Sequence, residues 1–339
     1  MSADHQEQAA SRDGRVGRLL SYILVLSVAT CVLTELGARL AEKWFVGIPE
    51  DGAFYWHKSD PYLGWRNDSR SAARVGLPIE ESGYQIYRGT KTKPDAPTIL
   101  CLGDSGTFGI WTDGEIRFKS YAEFLAEKLS CTVVNAGTVG YTSWHCVRVL
   151  RQYDGPLDAI VVRVGWNDHA HGNPMRLDNA DSKVAAWLNT FAVGRLVLLS
   201  AQRPQPTDKP SVSLDEFANN LRTMVRIARE RNVALYFVDY PTRLTQQIVE
   251  NAPLYLHIHK GVAHSLDDLQ DVHRRYIGTA REVAEASGVH FVDTPLSEDQ
   301  FSPVDAVHPN AEGAEHVAAF VAQAIVADGA IGIRPAARQ

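Results

Sequence analysis

Cysteine is scarce in this chain of 339 residues: there are four. None of Cys31, Cys101, Cys131 and Cys146 pairs with another at metal-ligand spacing. Cys31 lies in an apolar run, which leaves an odd number for the rest, so no disulfide framework is indicated. Cys101 and Cys131 read as small buried hydrophobes. A basic stripe is missing too. The net charge is -6, from 34 Lys and Arg against 40 Asp and Glu, which excludes nucleic acid as a natural partner. Internal repeats and long low-complexity tracts are absent. What the chain does have is 45% hydrophobic and 22% charged residues, the balance of a globular protein with a real core.

The N-terminus stands apart. Residues 1–18 are polar and carry Arg12, Arg15 and Arg18; Leu19 to Thr34 has no charge. Extended through Glu35 to Ala38 the run reaches about 20 residues, enough for the ~30 Å hydrocarbon core of a bilayer. Arginines before it, against mixed Glu35, Arg39, Glu42 and Lys43 after it, favour a cytoplasmic N-terminus. A cleaved signal peptide lacks a small-x-small site, and a lipoprotein site at Cys31 is poorly preceded by Thr30. The expectation is a single-pass signal anchor over 19–40, with the remainder on the periplasmic side of the membrane.

Residues 41–95 show no clear period and read as a membrane-proximal linker or cap. From Pro97 strands and helices alternate. "TILCL", "CTVVNAG", "LDAIVVRVG", "VALYFVDYP" and "VHFVD" read as strands, with amphipathic helices between them. Near-continuous apolar strands imply a parallel sheet covered on both faces, with ligands beyond the carboxyl ends of the strands. The boundaries drawn are 1–18 cytoplasmic, 19–40 membrane, 41–95 linker or cap, 96–330 main domain and 331–339 tail.

Those strand ends carry chemistry. "GDSGTFG" follows the first strand, "NAGTVGYTS" the second and "GWNDHAHG" the third; "SPVDAVHPNAEG" stands near the C-terminus. A serine is a weak nucleophile until a base takes its proton. Ser105 is the candidate nucleophile, His308 its base, and Asp305 the group that orients His308. The backbone N–H groups of Ser105 and Gly140 and the amide of Asn167 are candidate oxyanion donors. Asp104 and Asp168 read as side chains that hold their own loops. The elbow G-x-S-x-G of the α/β-hydrolases is absent, since Thr107 stands where its last glycine would be.

The four blocks, in this order, resemble the SGNH subgroup of the GDSL hydrolases. Gly103-Asp104-Ser105 matches the nucleophile block, with Gly106 in place of the usual bulky residue. Gly140, Asn167 and Asp305-x-x-His308 match the other three. The match covers about residues 97–327. The resemblance implies a flavodoxin-like three-layer α/β/α fold with a parallel sheet, a serine ester hydrolase, and neither metal nor cofactor. Family members include esterases, lipases, thioesterases, carbohydrate deacetylases and some O-acyltransferases. The anchor, "YLGW" and "GWND" also resemble membrane-anchored bacterial members linked with polysaccharides.

The expected substrate is an acylated small molecule or glycan. Transfer of the acyl group to a sugar hydroxyl, with a membrane partner as acyl donor, is the alternative; a non-catalytic glycan-binding module is the second. Trp111, Tyr141, Trp144 and Trp166 flank the motif loops and are expected to form an aromatic wall for substrate. His169 reads as a solvated loop residue. His257, His259 and His264 lack the geometry of a metal site.

Overall fold

The computed structural model describes residues 21–40, 56–60, 62–113, 115–170, 187–188, 191–194, 197, 209–251 and 263–329. Two compact units emerge: Met1–Tyr55 with Leu177–Arg203, and Trp56–Arg176 with Pro204–Gln339. The first holds α1 (Ser21–Leu40), a 20-residue helix of mean hydropathy 1.8, long and apolar enough to cross a membrane. Glu35, near its end, accepts the N–H groups of Ala192 (2.9 Å) and Val193 (3.2 Å) and pairs with Arg39 (3.0 Å). The expected segments 1–18 and 331–339, and residues 41–55, lie outside the described residues, as do His257 and His259.

The second unit runs β1 (His57–Asp60), β2 (Gly64–Asn67), α2 (Ser69–Ala73), β3 (Gln85–Arg88), β4 (Thr98–Gly103), α3 (Ser105–Phe108), β5 (Ile110–Thr112), β6 (Ile116–Phe118) and α4 (Tyr121–Leu129). It continues with β7 (Thr132–Asn135), α5 (Ser143–Gln152), β8 (Ala159–Arg163), α6 (Leu214–Glu230), β9 (Ala234–Val238), α7 (Gln246–Asn251), α8 (Leu266–Ser287), β10 (His290–Val292) and α9 (Ala311–Asp328). The main sheet has the order β10–β9–β8–β4–β7–β3. Its first five strands are parallel and β3 is antiparallel on β7.

Alternation along the strands makes the layers. Ile99, Cys101, Val133, Val161 and Tyr236 face a core closed by Tyr121, Leu125, Val317 and Val321 of α4 and α9. Residues between them, such as Leu100, Leu102, Ile160 and Leu235, face the side covered by α5, α6 and α8. Counted in chain order, the parallel strands read 2-1-3-4-5, the flavodoxin-like order. Its switch point lies between β4 and β8, where ligands are received.

Of the linker or cap expected over 41–95, the linker is corrected for the described part. Residues from Trp56 belong to the catalytic unit, and β3 is a strand of its sheet. Trp56 stacks on Phe108 of α3, with centroids 5.6 Å apart, in a cluster with Ala72, Leu77 and Ile79. Asn135 ties the same elements by donating to Gln85 Oε1 (2.8 Å), the Thr107 carbonyl (2.9 Å) and Ser120 Oγ (3.1 Å).

Candidate active site

Ser105 opens α3 immediately after β4. A Cβ on Gly103 would overlap Thr107 and the Arg163 carbonyl, so strand and helix meet too closely for any side chain there. Asp104 caps the helix by accepting the Gly106 N–H at 2.9 Å. Gly109, at φ +92°, ends it in the left-handed region. Among the described residues the N–H groups of Ser105 and Gly140 find no acceptor.

Ser105 Oγ lies 2.7 Å from His308 Nε2, and His308 Nδ1 lies 2.6 Å from Asp305 Oδ2. Asp305 Oδ1 accepts the N–H groups of Val307 (2.7 Å) and His308 (3.2 Å). The carboxylate is therefore oriented before it receives the imidazole N–H, which leaves Nε2 as the acceptor toward Ser105. Burial opposes a charge on His308. Burial is the largest influence, yet the charge and hydrogen bond of Asp305, together with Asp104, outweigh it and Arg163, so the imidazole titrates above its usual range. The loop itself is clamped. Arg243 donates to the carbonyls of Ser302 (2.8 Å) and Pro303 (3.1 Å), and Ser302 Oγ donates to the Thr112 carbonyl (2.5 Å).

Asn167 follows β8. Its Nδ2 donates to the Tyr141 carbonyl at 3.0 Å and points to Asp104 Oδ2 at 3.5 Å. The second contact is long for a hydrogen bond, so that N–H is the one open to an incoming acceptor. Gly140 sits at φ +83°, and a Cβ there would press on the Trp65 indole at 3.2 Å. Trp65 Nε1 donates to the Val139 carbonyl (3.1 Å), and Tyr141 Oη donates to the Trp65 carbonyl (2.7 Å). The glycine loop is thus braced from the segment expected to be a linker or cap. Asp168 locks the neighbouring turn by accepting from Ser143 N–H (2.9 Å) and Ser143 Oγ (2.5 Å); burial pushes its carboxyl up to about 7.

The aromatic wall is corrected. Tyr141, Trp144 and Trp166 are 2%, 8% and 3% exposed. Trp144 lies under the Arg148 guanidinium (4.0 Å), and Trp166 packs on His169 and His273. Aromatics beside the site are consumed in holding its loops. Trp111, in the β5–β6 hairpin, is half-buried. His169 is not solvated either: it is buried, with Nε2 3.0 Å from His273 Nδ1. His273 Nε2 contacts the Tyr240 carbonyl at 2.7 Å, and burial pushes His273 down to about 4, so it donates there as a neutral ring. Missed at the sequence level were Arg163 and Tyr240, which lie behind Ser105. Their signals were a charge inside the apolar run "AIVVRVG" and a tyrosine just beyond a strand end.

The sequence model of the GDSL-like lipase/acylhydrolase family matches residues 101–316. The chain belongs to this family, and it is a hydrolase of ester bonds. No curated protein sequence matches the chain. Solved structures similar to it include an aryl esterase of M. smegmatis, with 16% identity over 68% of this chain and 99% of the other, at a TM-score of 0.45. A GDSL-like lipase of Bacteroides thetaiotaomicron has 16% identity over 70% and 92%, at 0.42. The acetylxylan esterase Axe2 of Geobacillus stearothermophilus has 17% identity over 74% and 100%, at 0.43.

Proposed function

We propose that the chain is a serine O-acyl esterase working through an acyl-enzyme on Ser105. The observation that carries this reading is the unbroken path from Ser105 Oγ through His308 to Asp305, at 2.7 and 2.6 Å. Ser105 Oγ attacks the acyl carbonyl and its proton passes to His308 Nε2. The oxyanion takes the N–H groups of Ser105, Gly140 and Asn167 Nδ2. Collapse breaks the bond to the alcohol, which leaves with the proton from His308. Water repeats the cycle and frees the acid. Asp305 stabilises the imidazolium in both halves. Acetylated carbohydrate is the substrate class to try first, because carbohydrate deacetylases are among the members of the family that the motif set resembles.

Mass spectrometry of the full chain after fluorophosphonate treatment tests the reading. Wild type is expected to gain one adduct, on Ser105, and Ser105→Ala none. Folded wild type without an adduct overturns it.

We also propose that α1 anchors the chain in a membrane, with the catalytic unit on the periplasmic side. Arg12, Arg15 and Arg18 ahead of α1 support the side, and its length and hydropathy support the anchor. So does Glu35, whose carboxylate is satisfied by two backbone N–H groups and Arg39 rather than left bare beside the apolar stretch. The full chain is expected to stay in the membrane pellet at alkaline carbonate wash; release into the supernatant rules out the anchor.

A further inference from the structure

Gly106 stands where the motif usually has a bulky residue, and the structure gives that space to other atoms. A Cβ on Gly106 would overlap Arg163 Nη1, lie 2.7 Å from Tyr240 Oη and 3.3 Å from Asp104 Oδ1. Three polar side chains thus converge behind the residue that follows the nucleophile, and all three are fully buried. Tyr240 Oη donates to Asp104 Oδ1 at 3.0 Å. The Arg163 guanidinium lies over the Tyr240 ring, 3.9 Å from its centroid, and its Nε donates to the Asp239 carbonyl at 3.2 Å.

A guanidinium in a parallel strand at the centre of a sheet needs a reason. Taking it out of water is repaid only by an opposite charge and good hydrogen bonds. Hydrogen bonds do not suffice here, because Arg163 Nη2 has no partner among the described residues. Two carboxyl groups feel its charge, Asp239 and Asp104, and Asp104 shares the space at Gly106 with it. Burial pushes the Asp104 carboxyl up, and Arg163 is the foremost influence holding it down, ahead of the Gly106 N–H, His308 and the Tyr240 hydroxyl.

We propose that Arg163 is a positioning residue: its guanidinium, seated on the Tyr240 ring, steadies the hydroxyl that bonds Asp104 and so fixes the turn that aims the nucleophile. Gly106 is the room that cation needs. The proposal rests on Ser105 being the nucleophile. Asp104 accepts the Gly106 N–H as well as the Tyr240 hydroxyl, and so holds the first turn of α3. Arg163 and Asp104 are the two buried ionisable partners of Tyr240. His308 feels the same pair: Asp305 and Asp104 raise it, Arg163 lowers it, and Ser105 Oγ is its remaining contact.

The test is steady-state hydrolysis of p-nitrophenyl acetate by the detergent-solubilised full chain across pH 5–9. Arg163→Met is expected to lower kcat about 10- to 100-fold while KM changes less than about threefold. The acid limb of kcat/KM moves to higher pH, since the cation that held His308 down is gone. Adding Asp104→Asn to Arg163→Met removes both charges and returns the limb toward wild type. Arg163→Lys keeps the cation but has no planar group to lie on the Tyr240 ring, so it retains the wild-type limb and loses kcat about as Arg163→Met does. This variant decides the matter if Arg163→Met does not fold. A wild-type kcat in folded Arg163→Met or in folded Arg163→Lys overturns the proposal. A fluorophosphonate adduct on Ser105 in such proteins confines the failure to Arg163. No adduct in wild type removes the nucleophile and this proposal together.

Discussion

Ser105→Ala is expected to lower kcat/KM for p-nitrophenyl acetate by at least about three orders of magnitude. The hydroxyl removed forms the acyl bond, and no neighbouring side chain takes its place at the end of the His308 path. His308→Ala should cost about as much, because an unassisted serine hydroxyl is a poor nucleophile at neutral pH. The sharper result is their combination. Residues that act as one unit are not additive, so Ser105→Ala/His308→Ala should be no slower than Ser105→Ala alone. Losses that multiply would mean that the 2.7 Å contact between them does not serve the reaction. Thermal unfolding separates stability from chemistry here. Ser105 is a small side chain at a helix start, and its Oγ contacts His308 rather than the core.

The motif residues were legible because their chemistry is local. "GDS", "GWND" and Asp305-x-x-His308 each sit within a few residues of a strand end or a helix start. The parallel sheet was legible for a related reason: strands such as "TILCLG" and "AIVVR" are buried on both faces and carry almost no polar residues. What lay beyond the sequence was long-range pairing. β3 reads as nothing in particular, because "QIYR" has one buried residue, and its place is set by Asn135 and Gln85 bonding across the sheet. The aromatics misled for the opposite reason. Their position beside the site was right, but whether an indole faces substrate or protein depends on its neighbours. Trp144 meets Arg148 one helical turn along, and Trp166 meets a histidine pair that unites residues 104 positions apart. Arg163 was visible as an oddity in its strand. Its meaning needed the empty place at Gly106, which a sequence shows only as a departure from pattern.

Asn167→Ala is expected to lower kcat by about 10²- to 10³-fold, which corresponds to roughly 2.7–4 kcal/mol of barrier. An oxyanion-hole donor matters most when charge has developed on the carbonyl oxygen, so KM for a small ester should stay within about threefold of wild type. The side chain also has a structural task, since its Nδ2 holds the Tyr141 carbonyl at 3.0 Å. That bond joins the asparagine loop to the glycine loop, so its loss could displace Gly140 as well. Asn167→Asp distinguishes the two roles. It fills the same volume, but it replaces the donor with an acceptor facing the developing oxyanion, a few ångströms from Asp104. If donation to the oxyanion is the function, Asp is at least as damaging as Ala in kcat, and Ser105 still takes the fluorophosphonate slowly. If the loops merely come apart, both variants lose thermal stability, and KM rises together with the fall in kcat. A loss of less than about tenfold in folded Asn167→Ala would assign the residue to loop packing and leave the oxyanion to the backbone N–H groups of Ser105 and Gly140.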